Sequence, residues 1–205
     1  PCVIHVAART VAGHALSIFG DHSDVMAVRQ TGFAMLSSAS VQEAQDLALI
    51  SHIATLNSSV PFVHFFDGFR TSHEINTIYD LPDSVIKKML PLNKIEEFKL
   101  SGLNSCNPYV QGTAQNPDVY FQNKEAANVF YNAVPQIVEE TMKNFCKLTK
   151  RKYELFEFYG DKKAEHIIVV MGSAASTVKH TVKFLNETEN AKLGVICVKL
   201  FRPFS

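Results

Sequence analysis

Val60-Pro-Phe-Val-His-Phe-Phe-Asp-Gly-Phe-Arg-Thr-Ser-His-Glu74 is the stretch on which the reading of this 205-residue chain turns. Its first half, Phe62 to Phe66, is almost wholly apolar, the pattern of a strand buried on both faces of a parallel sheet. Its second half turns polar at Asp67 and carries Arg70, Thr71, Ser72, His73 and Glu74, with Gly68 to permit a sharp turn. Ligands of open α/β sheets sit beyond the carboxyl ends of the strands, so this polar tail marks a candidate site. A second reading stays open: a structural βα loop in which Asp67 and Arg70 pair with each other and cap the next helix.

Just upstream, Ser40-Val-Gln-Glu43 is a capping box, in which the Ser and Glu side chains satisfy orphan amides at a helix start. The helix it opens is predicted to reach about Asn57, with a broad apolar stripe through Val41, Ala44, Leu47, Ala48, Ile50, Ile53 and Ala54. Before it, Val25 to Val28 reads as a strand ending in Arg29, Gln30 and Gly32, and Phe33 to Leu36 as a further short apolar run. Strand, helix and strand in succession make a βαβ unit, right-handed in about 98% of cases. The chain begins with another strand, Cys2 to Ala8, followed by Arg9 and Thr10. Val11 to Phe19 has helical spacing, weakened at Gly13 by about 1 kcal/mol relative to Ala, and stops at Gly20. Asp21, His22, Ser23 and Asp24 form a polar knot after it.

Downstream the sheet rhythm lapses. From Glu74 to Pro117, short helical pieces (Ser84 to Leu90, Lys94 to Leu100) lie between prolines, a punctuated excursion typical of functional or interface segments. Gln111 to Pro117 reads as a loop. Lys124 to Lys150 reads as a long helical region interrupted at Pro135, with Ile137, Val138, Met142, Phe145 and Leu148 on its apolar side. Lys147, Lys150, Arg151 and Lys152 at its end read as a solvated basic terminus. A second unit starts near Tyr153: a strand at Tyr153 to Phe158, a buried strand at His166 to Met171, a Gly-Ser turn at Gly172 to Ser176, a helix through Phe184, and a parallel strand at Leu193 to Leu200. The turn is placed to hold a phosphate at a helix start, yet it lacks the G-x-G-x-x-G spacing and a P-loop Lys, so a plain tight turn is the other reading.

Composition narrows the classes. Twenty basic and twenty acidic residues balance, and no basic stripe points to nucleic acid or a membrane surface. No apolar run approaches the ~18–20 residues of a membrane span. Cys2, Cys106, Cys146 and Cys197 are scattered, which speaks against a zinc or iron–sulfur site built by this chain alone and fits free thiols in a reducing compartment. Pro1 leads directly into a strand and Ser205 follows one, so both ends read as cut from a longer chain. No hydrolase, zincin or EF-hand signature is present. His22 between Asp21 and Asp24 has metal-ligand residue types, but a turn with Asp side chains accepting backbone amides is the stronger reading. His5 and His64, inside apolar strands, read as satisfied core histidines. The polar groups at Arg9-Thr10, Arg29-Gln30 and Asp67 to Glu74 are expected to converge at one sheet edge, where two arginines favour a small anionic substrate.

These residues also carry a family resemblance. His5-Val-Ala-Ala-Arg9, Ala15-Leu-Ser-Ile-Phe-Gly-Asp-His22, Arg29-Gln-Thr-Gly-Phe33, Val41-Gln-Glu-Ala44, Phe65-Phe-Asp-Gly-Phe-Arg-Thr-Ser-His-Glu74 and Gly112-Thr-Ala-Gln-Asn-Pro117 resemble the pyruvate:ferredoxin (flavodoxin) oxidoreductase family, including its NADP-linked protist branch. The similarity runs almost end to end. It implies an internal fragment: the C-terminal part of a thiamine-diphosphate-binding-type (pyrimidine-type) parallel-sheet domain over residues 1–152, and the start of a transketolase-C-terminal-like α/β domain over residues 153–205.

The resemblance further implies oxidative decarboxylation of pyruvate to acetyl-CoA and carbon dioxide. Thiamine diphosphate attacks the keto carbon, electrons pass singly to [4Fe-4S] clusters, and coenzyme A takes the acetyl group. Arg9 is implied to hold the substrate carboxylate by positioning rather than acid–base work, with Asp67 and Arg70 in a supporting role. The Glu that activates the cofactor and the Thr-bearing substrate loop are expected upstream of Pro1; the diphosphate and magnesium site and the cluster cysteines are expected downstream of Ser205. No catalytic residue, cofactor or metal is therefore assigned to the fragment, which is expected to be inactive alone. Implied partners are ferredoxin, flavodoxin or an NADP-reductase domain and a second copy in a homodimer, with no nucleic acid or membrane. A cytoplasmic location is implied, or a hydrogenosome or similar organelle in an anaerobic protist. Two other readings remain: the second subunit of a thiamine-dependent 2-oxoacid dehydrogenase, and a non-catalytic dimerisation module.

Overall fold

The computed structural model describes residues 1–106, 108, 110 and 112–205. The stretch read first from sequence is the central strand β3 (Phe62–Asp67), flanked by β1 (Val3–Ala8) and β2 (Ala34–Ser38), both parallel to it. A fourth strand, β7 (Leu200–Arg202), joins β2 antiparallel at the outer edge. A second sheet has the order β4 (Phe156–Gly160), β6 (Leu193–Val198), β5 (His166–Val170), with β5 parallel and β4 antiparallel to β6. The fold is of the expected α/β class with parallel strand pairs, each sheet also carrying one antiparallel strand. β3 is buried as its apolar run predicted, whereas β5, expected to be buried, is largely exposed.

The helix α2 (Val41–Ser58) crosses from β2 to β3. Ser40 Oγ accepts the Glu43 amide at 3.2 Å, and Glu43 reaches back to the Ala39 amide at 2.7 Å, one residue beyond the predicted box. Its buried Leu47, Ile50, Ile53 and Ala54 form one core with Leu36, Phe62 and Leu200 of the first sheet and with Val134, Val138, Met142 and Phe145 of α6 (Asn128–Thr149). Burial is worth about 1.5–3 kcal/mol for each large apolar side chain. The two predicted short helices appear as α3 (Asp83–Met89) and α4 (Leu92–Leu100). Residues 112–116 contain no helix or strand, whereas Gln111 of the predicted loop, like Asn107 and Tyr109 in the preceding excursion, lies outside the described residues. No described helix is long and apolar enough to cross a membrane.

Several expectations are corrected. Val25 to Val28 is not a strand: Ser23–Ala27 forms the short helix α1, which drives Val25 into a cluster with Ala8, Met35, Val63 and Phe65. Val11 to Phe19 is not helical; Val11, Leu16, Ile18 and Phe19 are exposed, and the loop is closed by Thr10 N–H on Phe19 O (3.1 Å). Without a core to face, helical spacing alone does not hold such a segment. Pro135 sits inside a continuous α6, because packing of the face from Val134 to Phe145 outweighs the ~3 kcal/mol penalty of an internal Pro. The break falls instead at Ala127, between α6 and α5 (Pro117–Ala126), whose Pro at the first position is favourable there. The strand expected from Tyr153 begins at Phe156, and α7 (Ala174–Glu189) runs past Phe184. The strand expected to continue to Leu200 breaks at Lys199, after which the chain leaves the second sheet for the first.

Candidate functional site

Parallel register sets the site. Ala8 pairs with Asp67, so Arg9 and Gly68 leave adjacent strands side by side, and the Gly68 amide donates to Ala8 O at 2.8 Å. A Cβ at Gly68 would fall 2.6 Å from Ala8 O and onto the Arg9 stem, so only glycine admits this approach. The Arg9 amide is held by Asp24 Oδ2 (2.9 Å), and its Nη1 donates to Ser17 O (3.3 Å). Among the described residues no carboxylate pairs with this guanidinium, and its buried Nε has no partner. Ser37 Oγ, near the end of β2, and Thr71 Oγ1, in the turn after β3, are likewise buried and unpartnered among the described residues. Orphaned polar atoms thus sit at or just beyond the ends of β1, β2 and β3. Unmet buried polar groups are uncommon, and each asks for an explanation in water, strain or a ligand.

Asp67 does not pair with Arg70, contrary to the structural-loop reading. Its Oδ1 lies 2.5 Å from His22 Nε2, and its Oδ2 takes the Ser173 amide at 2.8 Å and the Ser173 hydroxyl as well. Arg70 is exposed, and the turn closes instead through the Thr71 and Ser72 amides on Asp67 O (3.0 and 3.2 Å). The hydrogen bond that His22 donates to Asp67 raises the His22 pKa against the opposing effect of burial. Burial resists ionisation of Asp67, but the hydrogen bonds from His22 and Ser173 outweigh it and hold its carboxyl below the usual range. The Ser173 donors of the Gly-Ser turn are therefore committed to a carboxylate of this chain. Asp21 accepts the His22 and Ser23 amides at 2.5 and 3.1 Å, the turn role read from sequence. Sequence gave no pairing of His22 with Asp67; its one signal was the polar knot around His22.

Arg29 and Gln30 do not join this rim. Because α1 replaces the expected strand, Gln30 lies at the amino end of the sheet, lining a cavity of about 500 Å³ with Ser59, Val60, Pro61 and Arg202. One of the two strand histidines also differs from expectation. His64 is buried and satisfied, but His5 is exposed, and the two join a chain: Ser38 Oγ to His64 Nε2 (2.7 Å), His64 Nδ1 to His5 Nδ1 (2.8 Å), His5 Nε2 to His52 Nε2 (3.1 Å). Burial and the neighbouring imidazoles push His64 down to about 3, and burial followed by His52 lowers His5, so both rings are neutral near pH 7. Arg151, read as part of a solvated basic end, instead forks onto the fully buried Asp46. Among the described residues no group of three or more His, Cys, Asp or Glu side chains is arranged to hold a metal.

The chain is an α/β protein whose sheet rim sets a half-buried arginine, with no carboxylate on its guanidinium among the described residues, beside an acid–imidazole pair. Residues 1–143 match the family described as pyruvate flavodoxin/ferredoxin oxidoreductase, thiamine diphosphate-binding, and the chain belongs to that family. Over its whole length it is 58% identical to a probable pyruvate-flavodoxin oxidoreductase of Escherichia coli K12 and 56% identical to the pyruvate:ferredoxin oxidoreductase of Moorella thermoacetica. It spans 17% of the length of each. A 2-oxoglutarate:ferredoxin oxidoreductase from Magnetococcus marinus, solved with 2-oxoglutarate, coenzyme A and succinyl-CoA, shares the fold with a TM-score of 0.58 at 15% identity, covering all of this chain and 38% of its own.

Proposed function

We propose that this chain is part of a 2-oxoacid oxidoreductase that decarboxylates pyruvate oxidatively, and that its contribution is to hold the substrate carboxylate on Arg9. One observation carries the reading: a guanidinium at the strand rim whose Nε is buried without a partner, clear of any described carboxylate. A planar fork of N–H donors on a carboxylate gives a directed, charge-assisted contact that fixes the keto carbon for attack. Asp67 shapes the turn beside it, and Arg70, at the exposed edge, supports the loop.

Thiamine diphosphate, when bound, supplies the carbanion chemistry that lets the carboxylate leave as carbon dioxide. The orphaned Arg9 Nε fits the acid end of the substrate. Among the described residues no group at this rim is free to hold a diphosphate with magnesium, since Asp67 is already spent on His22 and Ser173. In this reading that end, the [4Fe-4S] clusters, the coenzyme A site and the contact with ferredoxin, flavodoxin or an NADP-reductase domain belong to other parts of a longer, homodimeric and cytoplasmic polypeptide. The same reading puts the boundary between the two domains after residue 152.

Steady-state kinetics of the full-length enzyme test the assignment. Arg9→Ala raises the KM for pyruvate about tenfold to a hundredfold, the worth of a charge-assisted hydrogen bond; an unchanged KM removes Arg9 from the site. The 205-residue piece alone turns over no pyruvate, and measurable turnover by it would refute the division of labour.

A further inference from the structure

We propose that His22 and Ser173 are positioning residues for Arg9, acting through Asp67, and that they couple the placement of the second sheet to capture of the substrate carboxylate. This rests on the reading of Arg9 given above. The contacts form a closed circuit. The Arg9 amide is tied to Asp24 on α1, and His22 caps the same helix. His22 Nε2 binds Asp67, which pairs with Ala8, the residue before Arg9. The other oxygen of Asp67 takes both donors of Ser173, at the start of α7 behind β5. A shift of the Gly172-Ser173 turn therefore pulls on Asp67, and through Gly68 on the stem of Arg9.

The packing leaves little slack in this circuit. At Gly172, which has φ +78°, a Cβ would stand 2.6 Å from Asp67 Oδ1 and 3.0 Å from His22 Cε1. The His22 ring stands edge-on to Phe65 at 5.4 Å, which fixes its plane. Asp21 and Asp24 are the other acids acting on His22, and both also favour its protonated form. A protonated His22 completes an ion pair with Asp67; a neutral one leaves an ordinary hydrogen bond. Because the His22 pKa is raised, the ion pair is present at low pH and weakens as pH climbs through the folded value.

The test uses the full-length enzyme with pyruvate and coenzyme A as the varied substrates. His22→Ala and Ser173→Ala are expected to raise the KM for pyruvate about tenfold, with kcat and the KM for coenzyme A nearly unchanged. His22→Gln, which keeps a donor toward Asp67, is expected to recover most of the loss but to flatten the rise in pyruvate KM with pH that is expected of the unmodified enzyme. Ser173→Ala leaves the amide bond intact, so it reports even where a His22 variant fails to fold. A pyruvate KM and pH profile unmoved in His22→Gln and Ser173→Ala overturn the inference. If Arg9→Ala also leaves KM unchanged, the Arg9 reading itself has failed; if Arg9→Ala raises it while His22→Ala and Ser173→Ala do not, only the coupling has.

Discussion

Replacing Arg151 by Ala is expected to be the most damaging single change outside the apolar core. Asp46 lies fully buried on α2, and its carboxylate is saturated. Oδ2 accepts Arg151 Nε at 2.6 Å and Tyr153 OH at 2.7 Å; Oδ1 accepts Arg151 Nη2 at 2.9 Å and Gln42 Nε2 at 3.2 Å. The arginine is the only cation among these donors. Removing it strands a charge out of water with two neutral donors, and breaking a buried pair this way costs about 3–5 kcal/mol. Asp46→Asn instead removes the charge from the buried side, and Arg151, one-fifth exposed, can turn to water, so the loss should be about 1.5–3 kcal/mol. The double variant should then cost less than the sum of the two single changes, with a coupling of about 2 kcal/mol. Equilibrium urea unfolding followed by far-UV circular dichroism reads all three, since the chain has no Trp to report by fluorescence. A loss below about 1 kcal/mol for Arg151→Ala, or strict additivity, would show that the fork is screened by solvent and refute the argument.

Two further stability effects follow from buried ionisable groups. His64, neutral in the fold with its pKa depressed to about 3, contributes stability that is complete above its unfolded value and is lost as pH falls from there toward 3. Acid titration of the unfolding free energy should lose about 1.4 kcal/mol per pH unit over that window from this group, and His64→Gln should flatten the slope. Lys199, almost wholly buried, places Nζ 2.8 Å from Glu43 and 3.5 Å from Glu157, so Lys199→Met leaves two acids facing each other. A loss of about 2–3 kcal/mol in the same unfolding assay is expected, and no loss would mean that both acids turn to water.

What the residues alone determined is local or rests on burial. The capping box at Ser40, the largely apolar runs of β3 and β5 and the polar break at Asp67 specify helix, strand and strand end within a few residues, because capping and side-chain period act over one or two turns. The place of Arg9 beside Asp67 was also legible, since parallel strands bring their carboxyl ends to one rim. Tertiary structure decided the rest. Val25 to Val28 suits a strand as well as a helix, and only docking on Phe65 and Met35 selects α1. Pro135 stays helical because a core lies under it, and Leu200–Arg202 leaves its own sheet for an edge some 160 residues earlier in sequence. His22, Asp67 and Ser173 meet across separations of 45 and 106 residues. No pattern in a linear sequence encodes which donor a buried carboxylate will find; the folded chain chooses it, because an unmet charge away from water is too costly to leave.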